Sequence, residues 1–317
     1  MHILTVNQAE QGMKLINFLS RRLEREAAAS ELHRWIRSGQ VRINSKRARA
    51  FDRLAAGDTV RLPPFAADDA RQEAVAITVA PGDILDHGLR VLAATDDFLA
   101  LEKPAGLPSQ PGSKQETDVV DILRRRFAGA AYIPAPAHRL DKKTSGILLA
   151  GRTHEAQEKL HALFSRREND KAVTKIYLAW VLGSWPHAQE QVLTDFLAKE
   201  ADTLDGTAFE TVRAVDAQHG KEARCRVSCL ETRQTPLGAA SLLRVVLETG
   251  RTHQIRVQLA IRKLAIIGDM KYKGVPYSHM LLHAHALAFP WKGGRVALES
   301  LPDWPAPFAV AEAPNLA

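Results

Sequence analysis

Asp141 stands between His138-Arg139 and Lys142-Lys143 in the stretch AHRLDKKTSGILLA, residues 137–150. Cations beside a carboxylate favour its charged form. A charged acid at the mouth of a Thr-Ser-Gly turn, just before the apolar run Ile147 to Ala150, is a candidate nucleophile or general base. Other chemistries lack their residues. There is no P-loop, no G-x-G-x-x-G and no H-E-x-x-H. Ser145 lies outside a G-x-S-x-G elbow, and HRLD is followed by neither the Asn nor the DFG of a kinase. Cys225 and Cys229, in CRVSC, are spaced as neither a redox pair nor a zinc half-site, so two reduced thiols are expected. The chemistry expected is that of one carboxylate and its partners, with no metal and no cofactor.

The elements that position this acid come from an ordinary globular composition. The 317 residues are 45% hydrophobic and 25% charged, enough for a large core and a smaller domain. No apolar run approaches the roughly 18 residues of a membrane span, and no signal peptide is recognisable at the start. A cytoplasmic protein is expected. The formal charge of +7 is concentrated: residues 12–62 hold 12 Lys and Arg against 5 Asp and Glu. That asymmetry predicts a polyanion-binding module joined to a charge-balanced domain.

Along the chain, Leu15, Ile16, Leu19 and Leu23 share one helical face, and Leu32, Trp35 and Ile36 form the stripe of a second helix, with Ser30 as its expected N-cap and Gly39 at its end. Short strands follow around Asn44-Ser45 and in TVRLP. Residues 65–87, rich in Ala, Asp, Pro and Gly, read as a linker carrying at most the short strand AVAITV. From residue 88 strands predominate: LRVLAAT and FLALEKP as a hairpin, then KIYLAWVLG, ARCRVSCLE, SLLRVVLET and HMLLHAHALAFPW. Helices are expected near 118–127, over 153–168, and after TGRTHQ. Residues 184–222 read as a polar, irregular insertion. Helices interrupt the strands without strict alternation, which predicts an α+β domain with a mixed, largely antiparallel sheet flanked by helices. The organisation expected is a small module at 12–64, a linker at 65–87 and a catalytic domain at 88–317.

Two families resemble these segments. The order of elements over 12–64, with VRINSKR and AGDTVRLPP, resembles the S4 RNA-binding domain. That resemblance implies RNA contacts at Arg21, Arg22, Arg34, Arg37, Arg42, Lys46 and Arg47, made to phosphates and to RNA shape. HRLDKKTSGILLA resembles the H-R-L-D-x-x-T-S-G motif of the RluA family of RNA pseudouridine synthases. LEKPAGLPSQPG, KIYLAWVLG, TGRTHQIRVQLA with IIGDMKY, and LLHAHALAF fall in that family's order. With the S4-like module in front, the arrangement resembles the RluC/RluD type. Two stretches depart from the pattern: RKLAIIGD lacks the usual Gly-His-Pro, and PSQPG lacks a His that often precedes its Pro.

The resemblance implies isomerisation of uridine to pseudouridine within RNA, without a cofactor. The N1–C1′ bond breaks and a C5–C1′ bond forms, on a nucleotide flipped out of its helix. It implies Asp141 as the essential aspartate, Arg256 paired with it, Tyr177 stacked on the base, and Arg139 helping to displace the base. Leu281 or Leu282 would wall the base's other face. Large-subunit ribosomal RNA is the expected target. Transfer RNA is the alternative, and a non-catalytic RNA-binding or ribosome-assembly factor is the rival that retention of Asp141, Tyr177 and Arg256 argues against. A monomer is expected. Deleting residues 1–64 should weaken RNA binding and flatten its salt dependence in a filter-binding titration; unchanged affinity would contradict the basic module's role.

Overall fold

The computed structural model describes residues 2–23, 27–64, 77–112, 116–165, 172–204 and 207–311. The N-terminal part contains β1 (His2–Thr5), α1 (Leu15–Arg22), α2 (Ala29–Arg37), β2 (Arg42–Ile43), β3 (Lys46–Arg47) and β4 (Thr59–Leu62). Its sheet runs in the order β1-β4-β2-β3. Helix α1 buries Leu15, Ile16, Phe18 and Leu19, and α2 buries Leu32, Trp35 and Ile36, so the two apolar stripes close one core over the sheet. Asn44 and Ser45 both take positive φ, 47° and 67°, as the two-residue turn between β2 and β3 requires. Helix α2 starts one residue before the expected cap: Ala28, not Ser30, holds the N-cap position.

The larger part is one sheet with helices packed against it. Its elements are β5 (Arg90–Ala94), β6 (Phe98–Lys103), α3 (Val119–Arg126), β7 (Ala135–Pro136), β8 (Ser145–Gly151), α4 (His154–Ser165), β9 (Thr174–Leu182), β10 (Gln191–Leu204), β11 (Thr207–Val215), β12 (Lys221–Thr235), β13 (Gly238–Leu247), α5 (Gln254–Ala260), β14 (Leu282–Trp291) and β15 (Gly294–Glu299). The strand order is β11-β10-β12-β13-β9-β14-β8-β6-β5, with β15 on β14 and β7 on β8. The pairing is antiparallel except where β14 meets β8 at His283–Ser145 and Ala284–Gly146. This is the mixed, largely antiparallel α+β sheet expected from strands interrupted by helices without strict alternation.

One expectation fails. Residues 184–222, read as irregular, contain the long strands β10 and β11, and β10 pairs with both β11 and β12. In the described part of the expected linker, residues 77–80 form no strand; residues 74–76 of AVAITV lie outside the described residues. Val79 is instead buried against the α3 core, and Arg126 Nη2 donates to Thr78 O at 2.9 Å. The boundary segment is therefore partly strapped onto the larger domain.

The parallel contact between β8 and β14 fixes the approach to Asp141. Gly146 takes φ +112°, and a Cβ built there would lie 2.3 Å from Ala284 O. Gly146→Ala must therefore push the two central strands apart. It should lower stability by more than about 2 kcal/mol in urea unfolding. An unchanged midpoint would contradict this reading of the contact.

Candidate active site

Asp141 sits in the loop between β7 and β8, and that loop is pinned from below by the LEKPAGLPS segment. Ser109 Oγ donates to Leu140 O at 2.9 Å and accepts from Leu140 N at 3.1 Å. Gly106 N donates to Lys142 O at 2.8 Å, and Thr144 N closes the turn onto Asp141 O at 3.0 Å. The fully buried Lys103 donates through Nζ to Pro104 O, Leu107 O and Lys142 O at 2.9, 2.8 and 3.2 Å. Burial pushes the Lys103 ammonium down to about 7, against the pull of Asp141. Three carbonyl acceptors use all three donors of the protonated form.

The opposite side of the site comes from α5. His253 precedes it in the left-handed conformation, φ 53°. Gln254 Oε1 accepts from Arg251 N at 3.0 Å and from Thr249 Oγ1 at 2.7 Å, which fixes the helix start. Gln254 through Leu259 are all buried, under β10 and β11 on one side and the β9–β13 core on the other. Arg256 is thereby presented to the Asp141 loop with its side chain 5% exposed.

Arg256 holds two carboxylates. Its Nε and Nη2 donate to Asp269 Oδ2 and Oδ1, both at 2.7 Å, and its Nη1 donates to Asp141 Oδ2 at 3.3 Å. The bidentate partner is Asp269, whose side chain is 1% exposed; Asp141, at 20%, is the carboxylate open to substrate. Burial alone would depress the guanidinium, but Asp269 and then Asp141 raise it overall, so it stays a cation. Its plane also stacks 4.9 Å from the Tyr272 ring. Tyr272 Oη accepts from Val212 N on β11 at 3.2 Å and lies 2.7 Å from His253 Nδ1. His253 Nε2 lies 3.7 Å from Asp141 Oδ2. Burial pushes this imidazole down to about 4, although Asp141 pulls the other way, so it is neutral near pH 7.

A cavity of about 1170 Å³ opens over these groups, lined by Asp141, Tyr177, His253, Arg256 and Leu282, with Arg139, Lys175, Lys221, Arg226 and Arg251 among its basic walls. Tyr177 on β9 and Leu282 on β14 share one sheet face, because Ala284 pairs with Tyr177 and Leu282 with Ala179. Burial, then the Asp141 charge, raise the Tyr177 phenol above its usual range, so it remains a neutral ring. Arg139 is exposed on the rim. Leu281 is corrected: one residue from Leu282, it points to the other face and packs fully buried with Trp180, Trp304 and Phe308. Burial drives His138 down to about 3, and its Nε2 accepts from Leu149 N at 3.1 Å, a structural role.

The basic residues expected at the RNA face divide. Arg34, Arg37, Arg42, Lys46 and Arg47 are exposed. Arg21 is half-buried and Arg22 is exposed, and both have partners within the protein: Arg21 donates to Ile133 O, and Arg22 grips buried Glu10 through two bonds of 2.7 and 2.8 Å. Sequence reasoning missed Asp269, Lys103, Ser109 and Tyr272. Only the structure shows that Arg256 is buried and needs a buried acid; the Gly-Asp of IIGDMKY supplies it despite the lost Gly-His-Pro.

Residues 97–261 match the family model for RNA pseudouridylate synthase. The chain is 31% identical to ribosomal large subunit pseudouridine synthase C of Escherichia coli K12 over 92% of this chain and 89% of that one. It is likewise 31% identical to the enzyme of the same name from Vibrio parahaemolyticus, over 84% and 78%. Among solved structures, human RNA pseudouridylate synthase domain containing 1 superposes with a TM-score of 0.56 at 25% identity, covering 71% of this chain and 86% of that one. The chain belongs to the RNA pseudouridylate synthase family. It is an RNA pseudouridine synthase, an enzyme that isomerises uridine within RNA. Among the described residues no helix is long and apolar enough to cross a membrane, and no cluster of His, Cys, Asp and Glu could hold a metal.

Asp269 orients the catalytic site without facing the cavity. Asp269→Asn keeps the volume but leaves Arg256 without its buried counter-charge. The turnover number should fall about 10-fold or more with RNA affinity held, because an aimed contact is loosened and no RNA contact is removed. Steady-state kinetics separates the two, and an unchanged turnover number would show that Asp269 does not set the aim of Arg256.

Proposed function

We propose that this enzyme isomerises uridines of large-subunit ribosomal RNA, with Asp141 as the catalytic carboxylate. The observation that carries the reading is the open Asp141 carboxylate at 3.3 Å from Arg256 Nη1, in a basic-walled cavity that also holds the Tyr177 ring. In the exchange the N1–C1′ bond breaks, the uracil turns, C5 bonds to C1′, C5 gives up its proton and N1 gains one. Asp141 supplies the carboxylate for this exchange. Tyr177 and Leu282 take the two faces of the flipped base, and Arg139, exposed at the rim, enters the RNA stack as the base leaves. Arg256 holds Asp141 in register.

Residues 12–64 form, in this reading, an S4-like RNA-binding module, joined to a catalytic domain beginning at residue 88. Arg34, Arg37, Arg42, Lys46 and Arg47 grip phosphates there. The relatives' names support ribosomal RNA as the target. The enzyme acts as a cytoplasmic monomer: one chain supplies every side chain of the site.

Wild type and Asp141→Ala should be incubated with unmodified ribosomal and transfer RNA transcripts. Pseudouridine is then mapped by carbodiimide-dependent reverse-transcription stops. Wild type should create stops on large-subunit ribosomal RNA, and Asp141→Ala none. Stops on transfer RNA alone would overturn the target, and stops made by Asp141→Ala would overturn the role of the carboxylate.

A further inference from the structure

We infer that the N-terminal module is docked rigidly on the catalytic domain through Tyr132, and that this docking selects which uridine reaches Asp141. The inference rests on the reading of the module as the part that grips RNA.

Tyr132 belongs by sequence to the loop after α3, yet it is 7% exposed and buried in the core that holds Val6, Met13, Leu15 and Phe18 of the module. The module's core is therefore completed by a side chain of the other domain. Arg21 lies over the Tyr132 ring, 4.0 Å from its centroid, and its Nη2 donates to Ile133 O at 2.5 Å. Asn7 Nδ2 donates to Ala131 O at 2.9 Å. That amide is itself aimed. Asn7 Oδ1 accepts from Glu10 N at 3.1 Å, Asn7 N donates to Glu10 Oε2 at 3.0 Å, and Arg22 clamps the Glu10 carboxylate. A second contact lies beside the first: the His154 ring hydrogen-bonds to the Gly12 backbone, and Arg53 reaches Glu158 at 4.0 Å. An aromatic side chain in a foreign core, with directional hydrogen bonds around it, is the geometry of a fixed joint.

Two stiff routes lead from this joint to the cavity. The loop carrying Ala131–Ile133 continues through β7 into His138, Arg139 and Asp141. Helix α4 begins at the joint with His154 and ends in the cavity wall at Leu163, Phe164 and Ser165. Its twelve residues span about 18 Å. RNA held by Arg42, Lys46 and Arg47 thus meets the cavity at a set offset, and the nucleotide at that offset is the one that can be flipped. Arg21 serves the joint directly, and Arg22 serves it through Glu10 and Asn7.

Full-length wild type, Tyr132→Ala, Arg21→Ala and the packing-conserving Tyr132→Phe test this. Small-angle X-ray scattering without RNA should fit wild type and Tyr132→Phe as one rigid body, and show an enlarged radius of gyration for the other two. On ribosomal RNA transcripts, Tyr132→Ala and Arg21→Ala should bind within about 3-fold of wild type, since the exposed phosphate contacts remain. Their modification at the wild-type uridine should fall about 10-fold or more, because the target nucleotide is misplaced at the cavity, with new stops at neighbouring uridines. Should Tyr132→Ala fail to fold, Arg21→Ala, at the edge of the joint, decides the matter alone. Wild-type rate and selectivity in Arg21→Ala, or scattering from wild type that requires two independently moving bodies, would overturn the proposal. Wild type that modifies no ribosomal RNA would instead sink the functional reading, and the scattering would still decide the joint.

Discussion

One guanidinium between two carboxylates organises this site. Arg256 cannot leave its buried position without abandoning Asp269, which accepts from it twice at 2.7 Å. A buried cation without its partner would be strongly destabilising, by roughly 3–5 kcal/mol, so the fork is locked. The third nitrogen, Nη1, is then aimed at Asp141 at 3.3 Å, a contact longer and more open than the pair behind it. The division of labour follows from exposure: the inner acid neutralises and orients, and the outer acid stays free to meet substrate. The Tyr272 ring lies beside the guanidinium, and His253, 3.7 Å from Asp141, is neutral near pH 7 and adds no charge there.

The rest of the fold holds the two halves of that arrangement together across 115 residues of sequence. The Asp141 loop is fastened by Lys103 and Ser109 from the β6 side and by the Gly146 contact with β14. The α5 side is fastened by the β10–β11–β12 sheet edge, whose Val212 N also orients Tyr272. Tyr177 and Leu282 are delivered by neighbouring central strands, where period-2 alternation puts both on the cavity face. Rigid strands thus carry Tyr177 and Leu282 on the cavity face, and a pinned turn carries the acid.

Much of this was legible in the chain. The apolar strands β6, β8, β9, β13 and β14 announce themselves because both their faces are buried. The Asp141, Tyr177 and Arg256 motifs stand out because they fall in one family's order, and the structure places all three on one cavity. What was illegible depends on long-range contacts. Strands β10 and β11 carry polar residues on both faces, so QVLTDFLAKEADTL shows no alternation to read. Asp269 is invisible as a partner because sequence shows the charge of Arg256 but not its burial. Leu281 and Leu282 differ by one residue, and only strand register decides which one faces the cavity. Arg21 counts as surface charge until Tyr132, more than a hundred residues away, is seen to sit beneath it.

In the proposed reading Asp141, aimed by Arg256, acts on a uridine whose base lies on Tyr177. The most direct measurement is a crystal structure of the enzyme bound to an RNA hairpin carrying the target uridine. The account predicts an extruded uracil against the Tyr177 ring, C1′ within about 3.5 Å of the Asp141 carboxylate, and Arg256 still bidentate on Asp269. A uridine that remains stacked in the RNA, a C1′ beyond reach of Asp141, or an Arg256 that has left Asp269 would contradict it.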